Sequence, residues 1–415
     1  MLVVRCQGLN GTSKRRSVAG AVGIVGASSI AAFAVWCYQA CAVYDSSLIG
    51  SIDGGSTDSL TTGDADIPAC NHAEPPDRSK DAGGGGTIQV VAAFNTIDIG
   101  IGGSVDAAVP PFGYDLDNTC TCPGPPSCLQ PPQPMGAPVS ASCDDSQGRD
   151  NTDILLFRDL PAAASTGTNQ IDQGLTAGQY GLVLVISGYN GQENDSEVIV
   201  DFYVSNGLAR DADGGIPTPK FDGTDLWTRD PNSLQGGQPN GQPMYTDRTA
   251  YVSGTVVVAH MPQLPIAFGD RSYLGGATMQ LVGAVIVGQL EAQPIGDSGS
   301  GTVGFALIKG TIAGRWPTSQ ILSTLATIPT EGGFLCGSDT PNALSYGIIK
   351  EVVCAAADIA TVSTEDNSTP LAPCDAISVG MQFTAVPAQL GPVMAGAPVL
   401  AGCQDAGVPW SDHCP

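Results

Sequence analysis

The sequence predicts a mainly β protein, a single β-sandwich domain with a small disulfide-linked helical insertion near its C-terminus. Three observations carry that expectation. Apolar runs of strand length recur between residues 87 and 386, separated by turns rich in Gly, Asn and Asp. Only 13% of the 415 residues are charged, against 54 Gly and 31 Pro, a composition poor in the residues on which long surface helices draw. Beyond Cys41 ten cysteines remain, an even number that reads as a disulfide set in an exported chain.

Export is read from the first residues. Lys14, Arg15 and Arg16 precede an uncharged stretch from Ser17 to Val35, and Tyr38-Gln39-Ala40-Cys41 sets a small residue before a cysteine. A basic region, an apolar region and a small-residue site make a secretory signal, here residues 1–40. The junction resembles the lipobox of bacterial lipoproteins, with Tyr38 where an aliphatic residue is usual, and it makes Cys41 the candidate lipidation site. A plain signal peptide or an uncleaved anchor of about 20 apolar residues would export the remainder equally. From Cys41 onward 12 basic residues face 40 acidic ones, a balance of −28. Phosphate backbones need basic surface, so nucleic acid is not an expected partner. The expected membrane contact is through an N-terminal lipid, at the outer membrane or cell surface.

Taken in order, residues 41–86 read as a disordered acidic Gly/Ser/Asp tether, because few apolar residues interrupt it. The folded domain is expected over 87–415. It opens with strand residues from Thr87 to Ile101, followed by a Pro- and Cys-rich loop from Gly113 to Phe157. Gln179 to Asn206 gives the clearest strand pair. Its first half is apolar on both faces, as in a buried strand, and Val198, Val200, Phe202 and Val204 then alternate with a mixed face. Tyr251 to His260, Ala277 to Leu290, Thr302 to Ile312 and Ile377 to Val386 are further strand candidates. The helical insertion spans about 317–360. Ile321, Leu322, Leu325 and Ile328 recur at helical spacing after Pro317, and Leu344, Ile348, Val352, Ala355 and Ile359 do so again. Cys336 and Cys354 are expected to pair across the second helix, with an extended segment from Cys336 to Thr340 running back along it.

No catalytic residue is assigned. Gly296-Asp297-Ser298-Gly299 and Val257-Val258-Ala259-His260 faintly resemble the nucleophile and histidine segments of trypsin-like proteases, but they stand too close together for that architecture. Cys120-Thr121-Cys122 lacks the usual spacing of zinc ligands. The acidic loops are the candidate metal site: Asp115, Asp117, Asn118, Asp144, Asp145, Asp150 and Asn151 supply the hard oxygens that calcium takes six to eight at a time. Asp211, Asp213 and Asp222 form a second candidate cluster. Calcium is thus the candidate cofactor. Trp227 and Tyr245, with Tyr114, Tyr189 and Trp316, lie in or beside loops and are candidates for stacking on a sugar.

The layout resembles uncharacterised secreted surface lipoproteins of Gram-negative bacteria. The segments that carry the resemblance run from Ala40-Cys41-Ala42-Val43-Tyr44-Asp45 through Tyr114-Asp115-Leu116-Asp117 and Gly148-Arg149-Asp150-Asn151. Phe221-Asp222-Gly223-Thr224-Asp225-Leu226-Trp227 and the cysteines around the second helix complete it. At the level of fold the chain is similar to jelly-roll or concanavalin-like sandwiches. The resemblance implies an exported, lipid-anchored surface protein and brings no activity with it. The expected function is recognition of a glycan or surface polymer, assisted by calcium. The alternatives are a structural envelope lipoprotein without a small ligand, and a secreted hydrolase with an unrecognised site.

Overall fold

Alternation of apolar and polar residues sets one face of a strand against a core, and the neighbours of each strand decide what that core is. The computed structural model describes residues 71–100, 112–121, 124–131, 144–145, 147–154, 156, 171–267, 278–296, 302–330, 333–336, 343–396, 402–405, 408–409 and 411–415. The expected signal, Cys41 and Ser298 lie outside them. Among the described residues no helix is long and apolar enough to cross a membrane.

The elements in chain order begin with β1 (Ile88–Asp98), β2 (Gly181–Tyr189), β3 (Asp195–Ser205), β4 (Leu226–Arg229), β5 (Tyr245–Ser253) and β6 (Val256–Ala267). Then come β7 (Thr278–Pro294), β8 (Val303–Pro317), α1 (Thr318–Leu325), β9 (Pro329–Thr330), β10 (Gly333–Phe334) and α2 (Ala343–Ala355). The chain closes with β11 (Ala376–Pro387), β12 (Gln389–Val393), β13 (Gln404–Asp405) and β14 (Val408–Pro409).

The expected sandwich is corrected: eight antiparallel strands close into a barrel in the order β1, β2, β3, β5, β6, β7, β8, β11. Each strand pairs with the next barrel strand in the chain, and β11 returns to β1 through pairs such as Ala93 with Val386 and Ile97 with Phe383. The Thr96 and Thr384 hydroxyls meet there at 2.6 Å although 288 residues separate them. A local pattern gives each strand its inner face but carries no information about that return. The single strand expected over Tyr251 to His260 is a hairpin, β5 and β6, turning at Gly254 and Thr255.

The barrel interior is filled. Phe94 stacks on Phe383 with ring centroids 4.3 Å apart and meets Phe202 edge-on at 6.1 Å. Leu182, Leu184, Ile186, Met261, Leu264 and Leu281 complete the same cluster, all fully buried. The other face of β2 explains its doubly apolar sequence. Val183, Val185, Ala93 and Tyr203 point outward and are covered by Leu208, Trp227 and Leu234, on or beside the small parallel sheet of β4 and β12. A second outward cluster, Val258, Val285, Val287 and Ala313, is covered by Tyr114 and Leu116 of the Pro- and Cys-rich loop.

The helical insertion is present, between β8 and β11, with changed ends and a changed face. Helix α1 stops at Leu325 rather than Ile328, consistent with Pro329 disfavouring helical geometry in the residue before it. In α2 the expected apolar side is split: Leu344 is 79% and Ile348 55% exposed, whereas Val352 packs on the core and Ala355 is buried, as are Tyr346 and Val353. The expected Cys336–Cys354 pair is also corrected. Cys403 N–H donates to the Ala326 carbonyl at 2.9 Å, which brings it beside the end of α1, and it bonds to Cys336. Cys354 instead joins Cys414, whose tail is held to α2 by Lys350 on Asp412 at 2.8 Å and by the Tyr346 hydroxyl. Cys128 pairs with Cys374, and Cys120 is disulfide-bonded as well.

The described end of the expected tether, residues 71–86, carries no helix or strand but lies on the barrel. Tyr251 Oη donates to the Pro76 carbonyl at 2.7 Å, Arg78 lies over the Tyr251 ring, and Gly85 N–H donates to Asp195 at 3.0 Å. These residues therefore pack on the barrel ahead of residue 87.

Candidate functional site

The acidic loop sits against β11 because one residue there has no side chain. A Cβ on Gly380 would lie 2.1 Å from the Phe112 carbonyl oxygen. The resulting close approach is fixed by Asn151, whose Nδ2 donates to the carbonyls of Phe112 at 2.8 Å and Gly380 at 3.2 Å. Asp150 N–H donates to the Tyr114 carbonyl at 3.1 Å, so the segments around 115 and 150 run side by side. Arg315 supports the loop from below. It pairs with Asp366 at 2.7 Å, both side chains buried, and donates to the carbonyls of Leu116 and Ala360.

This arrangement brings together Asp115, Asp117 and Asp150, one oxygen of each lying within 4.8 Å of the others. Each carboxylate has one oxygen held by a donor. His72 Nδ1 holds Asp115 Oδ2, Thr119 N–H holds Asp117 Oδ1 at 2.8 Å, and Leu116 N–H holds Asp150 Oδ2 at 2.6 Å. Asp115 Oδ1 and Asp117 Oδ2 are buried without a hydrogen bond. Ser127 Oγ is buried and unbonded too, although it lies near enough to ease the charge on Asp117.

Burial and mutual repulsion raise the affinity of these groups for protons. Burial first, and then the charges of Asp144 and Asp115, push Asp117 up to about 7. Burial raises Asp144 to about 6, offset in part by the Thr121 N–H. Asp150 is held well above the usual carboxylate range by burial and by Asp117, Asp144 and Asp358. Burial likewise raises Asp358 to about 6, against hydrogen bonds from Ser378 and Thr152. Asp153, fully buried beside Gly380, is raised by burial, and its Oδ2 has no partner. The hydrogen bond to Asp115 raises His72 at the rim. Among the described residues no Lys or Arg is ion-paired with Asp115, Asp117, Asp144 or Asp150.

The chain matches no protein family, no curated protein and no solved structure.

Of the sequence-predicted ligands, then, Asp115, Asp117 and Asp150 converge. Asp145 does not join them, since its carboxylate caps the turn at Gln147 and Arg149 and pairs with the Arg149 side chain at 2.8 Å. Asn118 is exposed in a left-handed turn. Asn151 is taken up by its docking hydrogen bonds, its Oδ1 buried without a partner. The second candidate cluster resolves into separate turns: Asp211 accepts from Asp213 and Gly215 N–H, and Asp222 from Thr224. Sequence reasoning missed His72, set aside as part of a tether, and Asp358, whose contacts with Thr152 lie 206 residues away.

Of the aromatic candidates, Trp227, Tyr189 and Trp316 are corrected. Trp227 is fully buried against Gly181, where a Cβ would meet its ring at 2.6 Å, so neither face is free to stack on a sugar. Tyr245 is partly buried against the barrel core, and Tyr189 and Trp316 are buried. His260 of the faint protease motif is exposed on β6.

Proposed function

We propose that the chain is an exported, lipid-anchored surface protein whose barrel is a scaffold and whose outer loops recognise a surface polymer. The filled interior is the observation that carries this reading. An eight-stranded barrel has room for packed side chains or for one small ligand, and here Phe94, Phe202, Phe383 and the aliphatic residues around them occupy it. Built polar structure lies instead on the outside, in the loop that carries Asp115, Asp117 and Asp150. The disulfides that fasten Cys128, Cys336 and Cys354 to distant parts of the chain suit an oxidising compartment. The basic and apolar segments ahead of Cys41 support export.

Two measurements test the proposal. Cys41→Ser should move the protein from the membrane fraction to the soluble one, and retention of the variant with residues 1–40 intact contradicts the lipid anchor. The released protein should bind at least one member of a panel of cell-surface polysaccharides. The burial of Trp227 favours one second reading, a structural envelope protein without a ligand, and silence across the panel with intact anchoring identifies it.

A further inference from the structure

We propose that Asp115, Asp117 and Asp150 form a calcium site that fastens the acidic loop to the barrel. The inference goes beyond the surface-protein reading and stands independently of the lipid anchor. Its first support is geometric. Oxygens that share one calcium ion at about 2.4 Å lie no more than twice that distance apart, and one oxygen from each of the three carboxylates meets this limit, within 4.8 Å of the others.

Its second support is what the site leaves unsatisfied. The Asp115 side chain is 0% exposed and Asp117 3% exposed; Asp115 keeps one buried oxygen without a hydrogen bond, and Asp117 Oδ2 has only the nearby Ser127 hydroxyl, out of hydrogen-bond geometry. A buried polar atom without a partner costs about 1–3 kcal/mol, and more when charged. Protein chains avoid that cost by pairing such atoms or by using them on a metal. The same two residues have their other oxygens fixed, Asp115 by His72 and Asp117 by Thr119 N–H. Ligating groups characteristically carry such outer partners, which aim the free atom and set its orientation. Here His72 is a positioning residue rather than a ligand.

The donor set selects the class of ion. Carboxylate oxygens without sulfur or imidazole suit hard cations. Three carboxylates from two loop segments, with water filling the remaining positions, suit the flexible six- to eight-fold shell of calcium better than the strict octahedron of magnesium. Arg315 and Arg149 are engaged with Asp366 and Asp145 and do not supply the missing charge.

The test is titration calorimetry of the full exported chain with calcium chloride after chelator treatment. The expected result is one site per chain, with Asp117→Asn weakening it by about tenfold or more and His72→Ala by about tenfold. Asp145→Asn, which removes a carboxylate outside the site, should leave affinity unchanged. Absence of calcium binding by the wild-type protein at millimolar concentration overturns the proposal, whatever the variants do. Binding that Asp117→Asn leaves unchanged overturns the assignment to these residues. Magnesium binding of equal affinity overturns the choice of ion. None of these outcomes bears on whether Cys41 anchors the chain.

Discussion

Two pieces of chain cover the outside of the barrel, and they are held by different physics. Around β1, β2 and β3, the β4–β12 sheet brings Trp227 down on Val183, Val185 and Tyr203. Around β6, β7 and β8, the acidic loop lays Tyr114 and Leu116 on Val258, Val285 and Val287. The first covering meets the barrel through apolar side chains, and its buried Asp225 and Asp230 are satisfied by backbone N–H groups and by Asn206, so removal of surface from water is the main force that holds it. The second carries four buried or partly buried carboxylates behind its two apolar contacts. Gathering like charges out of water is unfavourable unless they are neutralised, so this covering depends on protons or on a cation. One covering thus rests on apolar burial with its buried carboxylates hydrogen-bonded, while the other is conditional on its solution.

The comparison can be broken at several points. Trp227→Ala should have the largest effect, a loss of about 3–5 kcal/mol in chemical denaturation, because the indole is fully buried and fills the space that Gly181 leaves open. A loss below about 1 kcal/mol would mean that packing is not what holds the apolar covering.

Asp358→Asn should change how stability depends on pH. The native carboxyl is raised to about 6 from an unfolded value of 3.8, so the folded state keeps a proton that the unfolded state releases. That contribution is complete below pH 3.8 and is lost as pH rises through about 6. It amounts to no more than about 3 kcal/mol at 1.4 kcal/mol per unit. In metal-free buffer the wild-type protein should lose stability across this window, and the variant should lose less. Denaturation midpoints measured at pH 4 and pH 7 check the difference, and equal slopes would remove Asp358 from the account.

Gly380→Ala should cost about 1–3 kcal/mol, since its Cβ would collide with the Phe112 carbonyl. It should also lower calcium affinity, because the loop could no longer seat against β11. Unchanged calcium binding would separate the site from its docking.

Much of this architecture is legible locally and little of it globally. The doubly apolar run in Tyr180 to Ile186 and the alternation in Val198 to Val204 mark β2 and β3 correctly, because a strand writes its two faces into adjacent residues. Closure does not leave such a mark. The pairing of β1 with β11 joins residues 288 apart, and the same strands could form an open sheet with equal alternation. The doubly apolar face of β2 was visible, but its cause, Trp227 pressed on Val183 and Val185, looked like an exposed loop aromatic. In α2 the spacing of Leu344, Ile348 and Val352 is genuinely helical. The face that packs bears Tyr346, Ile349, Val352 and Val353, while Leu344 and Ile348 stay exposed, and the disulfide from Cys354 to Cys414 and the Lys350–Asp412 pair hold the helix there. Asp115, Asp117 and Asp150 were recognisable as oxygen donors in one loop. The assembly that buries them needs Gly380, Asn151 and Arg315, which come from different parts of the chain and share no motif.

The contrast between the two coverings is tested most directly by hydrogen exchange, read by mass spectrometry on chelator-treated and calcium-loaded protein. Calcium should add protection in peptides spanning residues 112–121 and 147–152 while leaving 226–229 and 389–393 unchanged. Equal protection of both coverings in the two conditions, or a gain confined to the Trp227 side, would contradict the account.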